Sequence, residues 1–141
     1  MSIELSELAV RVYYEDTDFS GRVYHASYLR FLERGRTEWL RGRGLTHQDL
    51  ASDAGIVFVV RSMQIDFLAS ARIDDLLIVE TSAAKARGAS IEFQQRVVLG
   101  DKTLVAATVL AAAIRDGRPA RLPASLRQAL AGPVAALDER G

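Results

Sequence analysis

One change of period constrains this chain more than any other feature. In Val10-Arg11-Val12-Tyr13-Tyr14-Glu15 the pattern is β-branched and aromatic, and Val10, Val12 and Tyr14 share one face of a predicted strand. From Ala26 the step becomes three and four residues: Tyr28, Phe31/Leu32, Gly35 and Trp39 fall on one helix face, and Gly42 and Gly44 stop the helix. A short helical piece follows over Thr46–Ala54, with Thr46 as N-cap and Gly55 behind it. The two-residue step then returns, predicting strands over Ile56–Ala69, Leu76–Lys85, Ser90–Leu99 and Thr103–Arg115. Arg87-Gly88-Ala89 and Gly100-Asp101-Lys102 read as the turns between them.

One long helix among antiparallel strands buries its apolar arc only if the sheet wraps around it. The predicted class is therefore α+β, a five-stranded antiparallel sheet around a long central helix. In its first long strand Val57, Val59, Arg61, Met63, Ile65 and Phe67 share a parity. Gly35 stands mid-helix, where alanine is the more stable residue, so a neighbouring element is expected to approach closely there. Such a sheet has open edges, and edge-to-edge pairing of two protomers is a common remedy.

Composition narrows the function. With 141 residues the chain forms one domain (1–141), with a core over about 9–115 and a tail over 116–141. Pro119 and Pro123 end the last strand, and a terminal helix is expected over Leu126–Leu130. There is no cysteine, which excludes a disulfide framework and, with only two histidines, a structural zinc site. Basic and acidic residues balance at eighteen each, so no nucleic-acid footprint shows, and near neutrality points to self-association. The apolar run Leu104–Ile114 is too short to span a bilayer, and Met1–Glu7 has no apolar segment of the secretory type. A soluble cytoplasmic protein without membrane insertion is expected.

The chemistry-bearing residues concentrate between the first strand and the long helix, in Asp16-Thr17-Asp18-Phe19-Ser20-Gly21-Arg22-Val23-Tyr24-His25. Free N–H groups at a helix start favour negative charge, by ~0.3–1 kcal/mol for an exposed anion. A carboxylate and a developing acyl oxyanion both suit that place. Asp18 lies seven residues ahead of His25, and Gly21 lets the chain fold back. Plainer readings compete: Asp and Ser before a helix are ordinarily caps and turn formers. Asp16-x-Asp18-x-Ser20-Gly21 also imitates the opening of a calcium loop, but the twelfth position, which requires glutamate, is Ser27.

Asp16-Thr17-Asp18, Gly21, Val23-Tyr24-His25 and Tyr28 resemble the hotdog-fold acyl-CoA thioesterases of the 4-hydroxybenzoyl-CoA thioesterase family. The nearest branch is the one encoded with the Tol–Pal envelope system, which also shares Glu33-Arg34-x-Arg36-Thr37-Glu38, Phe58-Val59-Val60-Arg61-x-Met63, Ala71-Arg72-x-Asp74-Asp75 and Arg87-Gly88-x-Ser90. The resemblance covers roughly residues 9 to 115. It implies that Asp18 is the catalytic aspartate and that the His25 backbone N–H polarises the thioester carbonyl, with the His25 side chain contacting substrate or water. It also places Tyr24, Tyr28, Arg61, Arg87 and Ser90 among the substrate-binding candidates, and the pocket between protomers of a homodimer or homotetramer. Ser20 and Arg22 depart from the branch, which usually has glycine and valine there.

A thioester is already activated, so an oxyanion donor and a means of delivering oxygen suffice. Asp18 activates water, or attacks to form a mixed anhydride that water cleaves; the sequence leaves both routes open. Neither calls for a metal or cofactor, since coenzyme A belongs to the substrate. Arg61, Arg72 and Arg87 suit the phosphates of coenzyme A and equally suit surface ion pairs. Glu33 with Arg36 and Arg34 with Glu38 have the spacing of helix-surface pairs, and Glu33 also has the spacing to orient His25. Trp39 and Tyr28 read first as core, Asp74-Asp75 as turn chemistry, and His47 without a visible partner. Two competitors remain: a non-catalytic acyl-CoA or protein-binding module of the cell-envelope machinery, and a hotdog dehydratase, which needs a different acid–base pair.

Overall fold

The computed structural model describes residues 5–128. Its elements are β1 (Ser6–Arg11), a single 3-10 turn (Tyr14–Asp16), α1 (His25–Arg41), α2 (His47–Asp49) running on as a π turn (Leu50–Ala54), β2 (Val57–Phe67), β3 (Leu76–Arg87), β4 (Ser90–Leu99), β5 (Lys102–Arg115) and the two-residue β6 (Arg118–Pro119). The five long strands run in the order β1-β3-β4-β5-β2, every pairing antiparallel, and β6 adds briefly to β5. β1 and β2 are thus the edges, and α1 lies against β1, β3 and β4. This is the expected curled sheet on one helix.

The helix is held by its apolar face: Tyr28, Phe31, Leu32, Gly35, Trp39 and Leu40 are buried at the predicted spacing. Gly35 meets the sheet as expected, since a Cβ there would stand 2.7 Å from Val79 Cγ1 and 2.8 Å from Thr81 Oγ1. Beside it the buried Gln95 donates through Nε2 to Leu32 O and Thr81 Oγ1, and accepts from Arg36 Nη1 at 3.0 Å through Oε1. Among the described residues no buried side-chain nitrogen or oxygen lacks a hydrogen-bond partner, which is what allows polar atoms to sit in a core.

Three expectations change. β1 starts at Ser6 and stops at Arg11, because the Asp16 carboxylate draws Tyr13–Asp16 into a turn; Tyr14 is exposed. β2 does not keep one parity, since its register against β5 shifts between Val60 and Ser62. The bulge at Arg61 lets Phe58 on one side and Met63 and Ile65 on the other all pack on the core. The expected tail reaches the core through Ala120, Leu122 and Leu126. Residues 124–128 are helical, and the end of the expected Leu126–Leu130 helix falls outside the described residues.

Candidate active site

The turn between β1 and α1 is organised by Asp16, the first aspartate of the pair. Its buried carboxylate accepts the Tyr13 N–H through Oδ2 (2.8 Å) and Arg30 Nη2 through Oδ1 (3.0 Å). Its carbonyl accepts the Tyr24 N–H (2.9 Å) and the Ser27 hydroxyl (3.1 Å). One residue so ties the end of β1 to the first turn of α1. The Arg30 side chain is half exposed, which holds the ion pair itself to ~1 kcal/mol or less.

Asp18, two residues on, is exposed. Its N–H donates to Arg22 O and its carbonyl accepts the Gly21 N–H, both at 2.9 Å, with Gly21 at φ 82°, where glycine is favoured. Ser20 grips only Oδ1, through its N–H at 2.8 Å and its hydroxyl at 2.5 Å. Oδ2 has no hydrogen-bond partner among the described residues. The Ser20 hydroxyl and N–H, with a smaller contribution from His25, hold the Asp18 carboxyl below its ordinary value. The group is an anion with one oxygen free.

The chain then enters α1. Tyr24 is its N-cap and supplies no side-chain acceptor. The N–H groups of His25 and Ala26 have no protein acceptor among the described residues, which leaves the positive end of the helix open. The exposed His25 ring stacks on Tyr24 (centroids 4.5 Å apart) and meets Phe67 edge-on (6.0 Å). Phe67 in turn contacts Tyr28, at 6.0 Å. The Tyr28 ring is buried and its hydroxyl accepts the Ala71 N–H (3.0 Å), so it forms the floor beneath the site and anchors the β2–β3 loop. Burial raises its phenol above the ordinary value.

The remaining candidates are spread out. Tyr24 is partly exposed beside His25. Arg61 lies in the β2 bulge, exposed. Arg87 and Ser90 flank the β3–β4 hairpin at the end of β3 opposite to Leu76, ~36 Å along an eleven-residue rise. Leu76 follows the loop that contacts the Asp18 turn, so one chain alone does not bring Arg87 and Ser90 to Asp18. The expected helix pairs are replaced: Arg36 reaches Gln95, Glu38 pairs with Arg41, and Glu33 accepts from the Thr37 hydroxyl (2.7 Å) rather than orienting His25. His47 does have a partner, Thr37 Oγ1 at 3.0 Å. Glu33, Arg36, Thr37 and His47 line one side of a cleft of about 340 Å³ whose other side is Val57–Val60, Phe93 and Ala111.

Three contributors escape a reading of the sequence. The spacing of Asp16 from Tyr13 is that of a capping box, and that of Ser20 from Asp18 is that of an Asx turn, so both carry a signal. Phe67 carries none beyond strand parity.

The family model described as Thioesterase superfamily matches residues 20–106. The acyl-CoA thioesterase YbgC of Haemophilus influenzae is 45% identical over 122 residues, covering 85% of this chain and 90% of that protein. A crystal structure of a probable thioesterase from Bartonella henselae is 45% identical with a TM-score of 0.82, covering 84% of this chain and 99% of that one. The 4-hydroxybenzoyl CoA thioesterase of Pseudomonas sp. strain CBS-3 shares the fold, with a TM-score of 0.83 at 23% identity, over 89% of this chain and 98% of that one.

Proposed function

This chain belongs to the thioesterase superfamily and is an acyl-coenzyme A thioester hydrolase; we propose that Asp18 delivers the oxygen while the open start of α1 holds the carbonyl. The observation that carries the assignment is the pairing of an anionic carboxylate, free at Oδ2, with a turn that leads straight into an uncapped helix N-terminus. A thioester carbonyl lying on the His25 N–H gains charge there as it becomes tetrahedral, and the amide stabilises the growing oxyanion. Asp18 either takes the proton of an attacking water or attacks the carbonyl carbon itself and is released by water. Coenzyme A leaves as a weakly basic thiolate, so the route calls on neither a strong general acid nor a cofactor.

The site is completed, in this reading, by a second copy. β2 is a sheet edge with Val57, Val59, Val60 and Phe67 between 44% and 50% exposed, an unprotected apolar edge of the kind that pairs. Antiparallel pairing of two β2 strands about a twofold axis sets the Val57–Val60 half of one beside the Ile65–Phe67 half of the other. The cleft and the Arg87–Ser90 hairpin of one copy then face the Asp18 turn of its mate, which gives those substrate-binding candidates, with Arg61 between them, a common site. A homodimer is the minimum and a homotetramer its natural extension. Within the superfamily the motifs of the helix and of Arg87-Gly88-x-Ser90 favour the Tol–Pal-associated branch, working in the cytoplasm where acyl-coenzyme A occurs.

Asp18→Asn, which keeps the turn's size, should lower kcat on acyl-coenzyme A by ~10²–10⁴-fold without lowering the melting temperature. Release of free thiol, followed with a thiol-reactive dye over short, long and aromatic acyl groups, is the measurement. Wild-type turnover by a folded Asp18→Asn variant on every substrate ends the assignment. Tight coenzyme A binding without thiol release by the wild type would favour the non-catalytic module instead.

A further inference from the structure

Two arginines stand opposite each other beside the Asp18 turn: Arg72, one of the three that the sequence offers to coenzyme A phosphates, and Arg22, which only the folded chain brings to it. The turn is laced to the β2–β3 loop by the Val23 N–H, which donates to Ala71 O at 2.9 Å, and by an isolated antiparallel bridge between Arg22 and Arg72. Residues directly opposite in such a bridge carry their side chains to the same face, with Cβ atoms ~4.5–5.5 Å apart, and like charges so opposed repel. Both residues are exposed, and neither guanidinium has an ion pair or hydrogen bond among the described residues. Of the nearby acids, Asp75 accepts the Arg72 backbone N–H through Oδ2 at 2.9 Å, and Asp18 is held by Ser20 through Oδ1 alone. The Asp74 carboxylate makes no ion pair among the described residues.

We propose that Arg22 and Arg72 together form a phosphate subsite that holds the coenzyme A end of the substrate at the rim of the catalytic turn. This rests on the thioester reading above. Two guanidiniums on one face present paired N–H forks, the geometry that phosphate oxygens accept, and an anion between them removes their mutual repulsion. Their exposure assigns them the part of the ligand that stays in water. The acyl group, by contrast, has the aromatic side formed by His25, Phe67 and Tyr28. Because the bridge and the Asp18 N–H bond to Arg22 O belong to one short turn, phosphate held here also steadies the segment that carries the carboxylate.

The test is the Arg22→Gln/Arg72→Gln double variant of the full chain, assayed on an acyl-coenzyme A and on the N-acetylcysteamine thioester of the same acid, which has no phosphate. The double variant should lose about tenfold more kcat/KM on the coenzyme A thioester than on the truncated one, the loss lying in KM. Free coenzyme A should bind it about tenfold more weakly by calorimetry, and this weakening should fade at high salt. Dephospho-coenzyme A separates the sources: an undiminished defect assigns the diphosphate, and a vanished one the ribose phosphate. Equal losses on both thioesters, or unaltered coenzyme A binding, overturn the subsite. Failure of the thioesterase reading is distinct: the wild type would then cleave neither thioester, while the calorimetry still decides whether the two arginines hold phosphate.

Discussion

The two halves of α1 illustrate opposite uses of the same helix. Around Gly35 the backbone lies so close to β3 that a methyl group would collide, and Gln95, Thr81, Leu32 and Arg36 satisfy one another. At His25 the first N–H groups are uncapped, Asp18 keeps an oxygen free, and Arg22 and Arg72 face each other unpaired among the described residues. The middle of the helix stabilises the fold by leaving nothing unsatisfied. Its start keeps donors and charges available, because a donor already engaged has nothing left for a transition state.

This contrast can be broken at its most rigid point first. Gly35→Ala gains ~0.5–1 kcal/mol of helix propensity. It forces contacts of 2.7 and 2.8 Å with Val79 and Thr81 to open, for which overpacking costs ~1–3 kcal/mol. The melting temperature should therefore fall, and a rise would show that the crossing has slack. Asp16→Asn tests the link between the halves. It weakens the bond from Arg30 and should cost ~1 kcal/mol in denaturant unfolding, given that the arginine is half exposed. It should also slow hydrolysis, although Asp16 is a positioning residue that touches no substrate. Preserved activity would detach the turn from its staple.

The smallest effect belongs to Ser20→Ala. Its hydroxyl is the main cause of the depressed Asp18 pKa. Removing a donor to the ionised form raises that pKa, so the acid limb of kcat/KM should move to higher pH while stability stays put. Because the Ser20 N–H bond remains, the shift is partial, and an acid limb that does not move shows that Asp18 does not govern it.

Much of this is legible in order and type of element. The switch of period at Ala26 locates α1 to within a residue of His25, and Gly35 announces the close approach that the structure has. The early end of β1 is hidden because Tyr13 and Tyr14 suit a strand locally, while the Asp16 carboxylate, a side-chain acceptor, overrules them. The β2 parity misleads for a related reason: a bulge adds one residue to one strand, and no pattern along that strand alone reveals the mismatch with its partner. Glu33 and Arg36 sit at a spacing that allows a helix pair, yet Arg36 reaches across to Gln95 on β4 and Glu33 takes the Thr37 hydroxyl one turn along its own helix. His47, for which the sequence shows no partner, meets Thr37 once α2 lies beside α1.

What the amino-acid order settled alone was periodic and local: one helix among five long strands, the turns at Gly88 and Gly100, and the charged turn before His25. Those follow from backbone preferences and from the burial of one face, which neighbouring residues decide among themselves. Only the folded chain decided which aspartate is buried and which is free, and that Arg22 stands opposite Arg72. Such facts depend on the distance between segments some fifty residues apart, as Arg22 and Arg72 are, and chain order leaves that distance open until the sheet curls around the helix.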